Sequence, residues 1–239
     1  MYNLRVGQVP LVGTLLWCFL LMGHHLDIQD SVRKEILEVI GNERVPCWSD
    51  NERLLYTTAT LREVQRFSCT TLFGLGNRAM QDLQVRAGRP GHELLLPKDT
   101  TVVTNIFAVM RESKEDHKRY CKHNGEDGGE QKTMLVNEAD GWYGWPAPDR
   151  FDPDANFLRD GKPAESNVAH SIPFGVGPRR CPVQSFVWEW LFTMFGGTMQ
   201  RLRAEAVQAG ADPLPPENEH EMMGASRYPK QYKILFKKI

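Results

Sequence analysis

Residues 174–184 read FGVGPRRCPVQ, and no other stretch so narrows what the chain can become. Gly175 and Gly177 let the backbone bend where a residue with a Cβ would clash. Pro178 tightens the turn, and Arg179 and Arg180 bring positive charge close to the Cys181 thiol. Apolar residues then recur at helical spacing, at Val183, Phe186, Val187, Trp190, Leu191 and Met194. Pro182 suits the first helical position, where its missing N–H costs nothing. The pattern places Cys181 at a helix N-cap, where free N–H groups and the positive end of the dipole stabilise a thiolate. A cysteine so placed serves either a soft metal or nucleophilic chemistry.

The rest of the chain sets bounds on that choice. Its 239 residues, 41% hydrophobic and 25% charged, suffice for one sizeable domain or two small ones. A formal charge of −1 gives no reason to expect nucleic acid as a partner. Five cysteines, Cys18, Cys47, Cys69, Cys121 and Cys181, are an odd number without CxxC spacing. That count speaks against a disulfide framework and for a reducing compartment.

The apolar run Val9 to Met22 is shorter than the roughly 20 residues of a transmembrane helix. Arg5 precedes it as in a signal peptide, but no small-x-small cleavage site follows, so it reads as a buried core helix. DIQDSVRKEILEVIG repeats Ile28, Val32, Ile36 and Ile40 at steps of four and stops at Gly41, which predicts an amphipathic helix. RLLYTTATLREVQRF predicts another, with Glu63 and Arg66 three apart on one face. LQV, ELLL and TTVVTNIFAV read as strands between Leu83 and Val109. Residues 112–140 are dense in charge and glycine, and the composition predicts a disordered insertion. His117, Cys121 and His123 within it lack a fourth ligand for zinc. GLGNRA, from Gly74 to Ala79, matches a dinucleotide fingerprint, but a helix precedes it and strand-like sequence follows, so it reads as a loop.

YTTATLREVQRF, APDRF and PFGVGPRRC, in this order and separation, resemble the C-terminal half of a cytochrome P450 of the animal microsomal kind. The resemblance runs from about Leu15 to Ile239. Phe174, Gly177, Arg179 and Cys181 match the FxxGxRxC signature, which is specific, and Glu63 and Arg66 match the ExxR pair. The resemblance implies a mainly α fold with small β-sheets, in one partial P450 domain over residues 1–239. It implies haem b, with Cys181 as the axial iron ligand, Arg179 on a haem propionate and Phe174 under the porphyrin. Glu63, Arg66 and Arg150 would form a buried ion network behind the haem. Substrate would meet the stretch from Cys69 to Phe73 and the turn near Ala225 and Ser226. The activity implied is insertion of one oxygen atom of O2 into a small hydrophobic substrate. NADPH–cytochrome P450 reductase would be the partner, at the endoplasmic reticulum membrane.

The departures are specific too. Val183 stands where the family has glycine two residues after the ligand cysteine. Carrying the register back from Trp17 puts Val9 and Pro10 at the places of the acid–alcohol pair over the iron. The chain is short for a P450 and has no counterpart of the membrane anchor or of the helices lining most of the pocket. A truncated isoform, an incompletely assembled gene with retained intron sequence, or a decayed copy would each account for this. Two function classes follow: a haem-thiolate monooxygenase of which this chain is part or all, and a non-enzymatic fragment that binds haem weakly or not at all.

Overall fold

The computed structural model describes residues 2–89, 92–113, 144–207 and 215–239. The expected disorder at 112–140 and the candidate zinc ligands His117, Cys121 and His123 lie almost wholly or wholly outside those residues. Helices dominate, and the strands form two-stranded antiparallel pairs among the described residues, so the fold is mainly α with small sheets.

Four helices build the main core. They are α1 (Tyr2–His24), α2 (Leu26–Val39), α3 (Leu55–Ser68) and α7 (Gln184–Arg201). The second half of α1 enters the core through Trp17, Cys18, Leu20, Leu21 and Met22, as the core-helix reading expects. The helix is longer than its apolar run suggested, and Gly7–His24 is long and apolar enough to cross a membrane by length and composition alone. Ile28, Val32 and Ile36 of α2 face the same core, and Gly41 ends the segment with φ +77°. Leu54 precedes α3 and has no side-chain oxygen to cap it. Glu35 of α2 takes that role, accepting from the Tyr56 and Thr57 N–H groups at 2.8 Å each. This locks the α2–α3 angle, and α3 buries Leu61, Val64 and Phe67 against α1 and α7.

Between α3 and α7 lie the small elements. β1 (Asn77–Arg78) pairs with β4 (Thr101–Val102), and β2 (Leu83–Arg89) forms a hairpin with β3 (His92–Leu96). The GLGNRA stretch is loop and short strand, not a nucleotide turn. The strand expected through TTVVTNIFAV stops at Val102, and Ile106–Val109 forms a short helix, α4. Asn105 explains the switch, because its Oδ1 accepts from the Ala108 N–H at 3.1 Å and caps the turn. Two further short helices follow, α5 (Pro153–Phe157) and α6 (Glu165–His170), around the hairpin β5 (Leu158–Arg159) and β6 (Lys162–Pro163). After α7, β7 (Leu202–Ala206) pairs with the C-terminal β10 (Ile234–Lys238). The hairpin β8 (His220–Met223) and β9 (Ser226–Pro229) returns to α1.

Candidate thiolate site

Cys181 sits at the end of a closed loop. Gly175 and Gly177 both take left-handed backbones, φ +73° and +71°, which an L side chain rarely adopts. Their turns are closed by Gly175 N–H to Ile172 O at 3.0 Å and Arg180 N–H to Gly177 O at 3.1 Å. The Cys181 N–H then returns to Phe174 O at 3.0 Å, which closes the loop and brings the two residues' backbones together. The Phe174 ring leans on Trp188 of α7, with centroids 5.9 Å apart, and Arg62 of α3 lies over the same indole at 5.0 Å. Cys181 is half-buried, and Gly177, Arg179 and Arg180 are exposed beside it.

Two sequence expectations at this site need correction. Cys181 is not the N-cap: α7 starts at Gln184 and its N-cap is Val183, with Pro182 and Val183 in a turn. Val183 has a non-helical backbone, φ −109° and ψ 21°, and no polar side chain to draw the helix start toward the cysteine. The apolar stripe also divides differently. Trp188, Leu191, Phe192, Phe195 and Met199 are the buried face of α7, whereas Val183, Phe186 and Met194 are 49%, 60% and 42% exposed. With Val176 at 56%, they are large apolar side chains left exposed on the thiol loop and on α7. The core of this chain accepts only one face of a helix that is apolar on two.

α3 carries a fully buried ion pair. Glu63 and Arg66 are both 0% exposed, and the guanidinium grips the carboxylate through Nε to Oε2 at 2.7 Å and Nη2 to Oε1 at 2.9 Å. Arg66 also donates to the carbonyls of Met110, Pro148, Ala147 and Arg150 at 2.8–3.3 Å. Glu63 accepts from the Asp152 N–H and from Asn156 Nδ2, each at 2.9 Å. Burial pushes the Glu63 carboxyl up, while Arg66 and these donors pull it down. Burial is the larger influence and raises the carboxyl's pKa, but three donors on Oε1 and one on Oε2, two of them from a guanidinium, favour the carboxylate form of the pair. Arg150 joins through its backbone carbonyl only; its side chain is 75% exposed and reaches Asp152 at 3.4 Å. The side-chain triad expected from sequence is therefore a Glu–Arg pair completed by Asn156 and by carbonyls. Asn156 was missed, although the Asp152-Pro153 start of α5 marks the turn that delivers it.

The two segments expected to meet substrate come together. Thr71 bridges to Ser226, and the Arg227 N–H donates to Thr70 O at 2.8 Å. Both lie against α1 near Val9 and Pro10. The Tyr228 hydroxyl donates to Val9 O, and Thr14 Oγ1 donates to Pro10 O at 2.9 Å. At Gly13 an added Cβ would stand 2.9 Å from Thr70 Cγ2, so glycine there permits the close approach.

Comparison with known proteins accords with this geometry. A cytochrome P450 family profile matches residues 7–115 and 143–236, leaving unmatched an interval that overlaps the charged segment. The chain belongs to the cytochrome P450 family. It is similar to cytochrome P450 2D15 of Canis lupus familiaris, 29% identical over 231 residues, covering 95% of this chain and 37% of that protein. Cytochrome P450 2D4 of Rattus norvegicus is 29% identical over 243 residues, covering 97% and 40%. Cytochrome P450 2D6 of Homo sapiens is 29% identical over 194 residues, covering 81% and 32%. The chain thus spans 32–40% of the length of these relatives.

Proposed function

We propose that this chain carries the thiolate half of a haem monooxygenase, with Cys181 as the axial ligand of haem b. The carrying observation is the closed loop from Phe174 to Cys181, with large apolar side chains exposed on it and on α7. A thiol, an aromatic ring and exposed apolar side chains fit a flat apolar group with a soft metal at its centre. When bound, haem supplies activation of O2, and a thiolate ligand favours O–O cleavage. Phe174 would pack against the haem, Gly177 would let the loop approach it closely, and Arg179 would offer a guanidinium to a propionate. The Glu63–Arg66 pair fixes the Ala147–Arg150 segment to α3 by binding the carbonyls of Ala147, Pro148 and Arg150. The stretch from Cys69 to Phe73 and the turn near Ala225 and Ser226 would meet a small hydrophobic substrate. NADPH–cytochrome P450 reductase delivers the electrons, at the endoplasmic reticulum membrane.

The deciding measurement is the spectrum of the reduced, carbon-monoxide-bound protein, in which thiolate ligation gives a red-shifted Soret band. Cys181→Ala should abolish it, and Cys18, Cys47, Cys69 or Cys121 changes should leave its type unaltered. A thiolate spectrum that survives in Cys181→Ala ends this reading.

A second reading, a fragment without turnover, draws support from α1. Val9 and Pro10 carry neither acid nor hydroxyl, and the nearby hydroxyls of Tyr228 and Thr14 are committed to backbone carbonyls. Proton delivery needs groups within hydrogen-bond reach of the reacting oxygen. Reconstituted with haem, reductase and NADPH, the chain should consume oxygen without stoichiometric hydroxylation, or take up no haem. Coupled product formation would rule this second reading out.

A further inference from the structure

Among the described residues, Arg227 is a buried cation without an acid. It is 2% exposed, and among the described residues no carboxylate pairs with it. Its guanidinium instead donates to Phe67 O at 3.0 Å, Ser68 O at 2.8 Å and Asn218 O at 3.3 Å, while its Nε has no partner. Phe67 and Ser68 are the last residues of α3, where unsatisfied carbonyls gather the negative end of the helix dipole. That end is a natural seat for a cation, and Arg111 shares it, donating to Phe67 O at 2.9 Å. Both guanidiniums lie over the Phe107 ring, at 4.9 and 5.5 Å. Burial first, and then Arg111, lowers the Arg227 pKa to about 10, so the group remains charged at neutral pH.

The same residue holds two further elements, the loop at Thr70 and α1, through its backbone and its face. Its N–H binds Thr70 O, its carbonyl accepts from Trp17 Nε1 at 3.3 Å, and its guanidinium lies over the Trp17 ring at 5.0 Å. α1, the end of α3, the loop beginning at Thr70 and the β8–β9 hairpin thus meet at one residue, the loop through its backbone N–H and the end of α3 through its guanidinium. We infer that Arg227 is the positioning residue of the substrate-facing loop, fixing Thr70–Phe73 against the Ala225–Ser226 turn and α1. The inference rests on the proposed function for the word substrate; the clamp itself does not. A small apolar ligand would be selected by the shape this clamp imposes, with Arg227 itself buried beneath the surface.

Cysteine labelling, resolved residue by residue by mass spectrometry, tests the clamp without haem. Cys69 is the left-handed residue joining α3 to the loop and is 2% exposed; Cys18 in the core is 0% exposed; Cys47 is exposed. In Arg227→Met, Cys69 should label about tenfold faster than in the wild type, the ratio for a joint whose opening is easier by about 1.4 kcal/mol. Cys18 should stay shielded, and Cys47 should label at once in both. Arg227→Lys should fall between, since an ammonium cannot reach all three carbonyls together. A second arm uses haem-loaded protein titrated with imidazole and with 4-phenylimidazole. Arg227→Met should weaken the bulky ligand about tenfold and imidazole by less than about twofold. Cys69 labelling at the wild-type rate, or Cys69 and Cys18 rising together, would overturn the clamp, as would equal loss of both ligands. If Arg227→Met does not fold, Arg227→Lys decides, and wild-type protection of its Cys69 overturns the proposal. Wild-type protein that takes up no haem defeats the proposed function, while the labelling arm still judges the clamp.

Discussion

Replacing Arg66 by alanine is the most severe single change the structure allows near the site. Six hydrogen bonds vanish with the guanidinium, two to Glu63 and four to the carbonyls of Met110, Ala147, Pro148 and Arg150. Glu63, 0% exposed, would keep only the Asp152 N–H and Asn156 as partners. Breaking a buried ion pair from one side costs about 3–5 kcal/mol. In a chain of this size that corresponds to a fall in Tm of about 6–20 °C. The four orphaned carbonyls add to the loss, reduced by whatever water enters. Total stability is commonly about 5–15 kcal/mol, so Arg66→Ala should lose a third or more of it in most of that range. Arg66→Met with Glu63→Gln removes both charges and should recover part of the loss, because no uncompensated charge is left. Urea unfolding followed by circular dichroism reads all three proteins. A single Arg66→Ala change within about 1 kcal/mol of wild type would refute the account of the network.

Arg150→Ala should alter stability by less than about 0.5 kcal/mol, because alanine keeps the carbonyl that Arg66 uses; a large loss in the same urea assay would restore the side-chain triad read from sequence. Gly13→Ala should cost about 1–3 kcal/mol in thermal melts, since its Cβ would collide with Thr70 and press the Tyr228 ring. Asn105→Ala should cost about 1 kcal/mol through loss of the α4 cap, whereas Asn105→Asp should hold near wild type. Arg44 grips the Asp50 carboxyl at 2.6 and 2.7 Å and holds it well below the usual carboxylate range. Its contribution is therefore full above the unfolded pKa of about 4 and is lost as pH falls through the lowered folded value. Asp50→Asn should flatten that acid limb of a stability–pH curve; an unchanged limb would assign it to other groups.

What was legible in the sequence was local. Gly175 and Gly177 announce left-handed turns, and Ile28, Val32 and Ile36 announce the buried face of α2, because each follows from a few neighbouring residues. Glu63 and Arg66 are neighbours by helix geometry alone. Periodicity failed at α7 because the helix is apolar on two faces: counting cannot tell Trp188 and Phe192, which are buried, from Phe186 and Met194, which are not. It failed at Asn105 for a different reason, since one capping side chain outweighs a β-branched run. Arg227 carried no signal. Its partners lie 160 and 210 positions away, and an arginine near a C-terminus reads as surface charge.

That contrast in range divides the site itself. The thiol loop closes between Phe174 and Cys181, and its geometry needs little beyond its own glycines and the Trp188 ring. The opposite face is assembled from ends of the chain: Tyr228 to Val9 spans 219 positions, Trp17 to Arg227 spans 210 and Arg227 to Phe67 spans 160. Closing such loops costs entropy before any contact forms, and that cost rises only slowly with length. Those contacts must therefore be strong together, which a buried arginine shared by four segments makes possible. It also means that they form late and open first, because each depends on the others being in place. A change at Arg227, Tyr228 or Gly13 should thus loosen the face proposed to meet substrate while the thiol loop keeps its shape. The proposed ligand selection and the proposed thiolate ligation should then be separable in this chain by mutation.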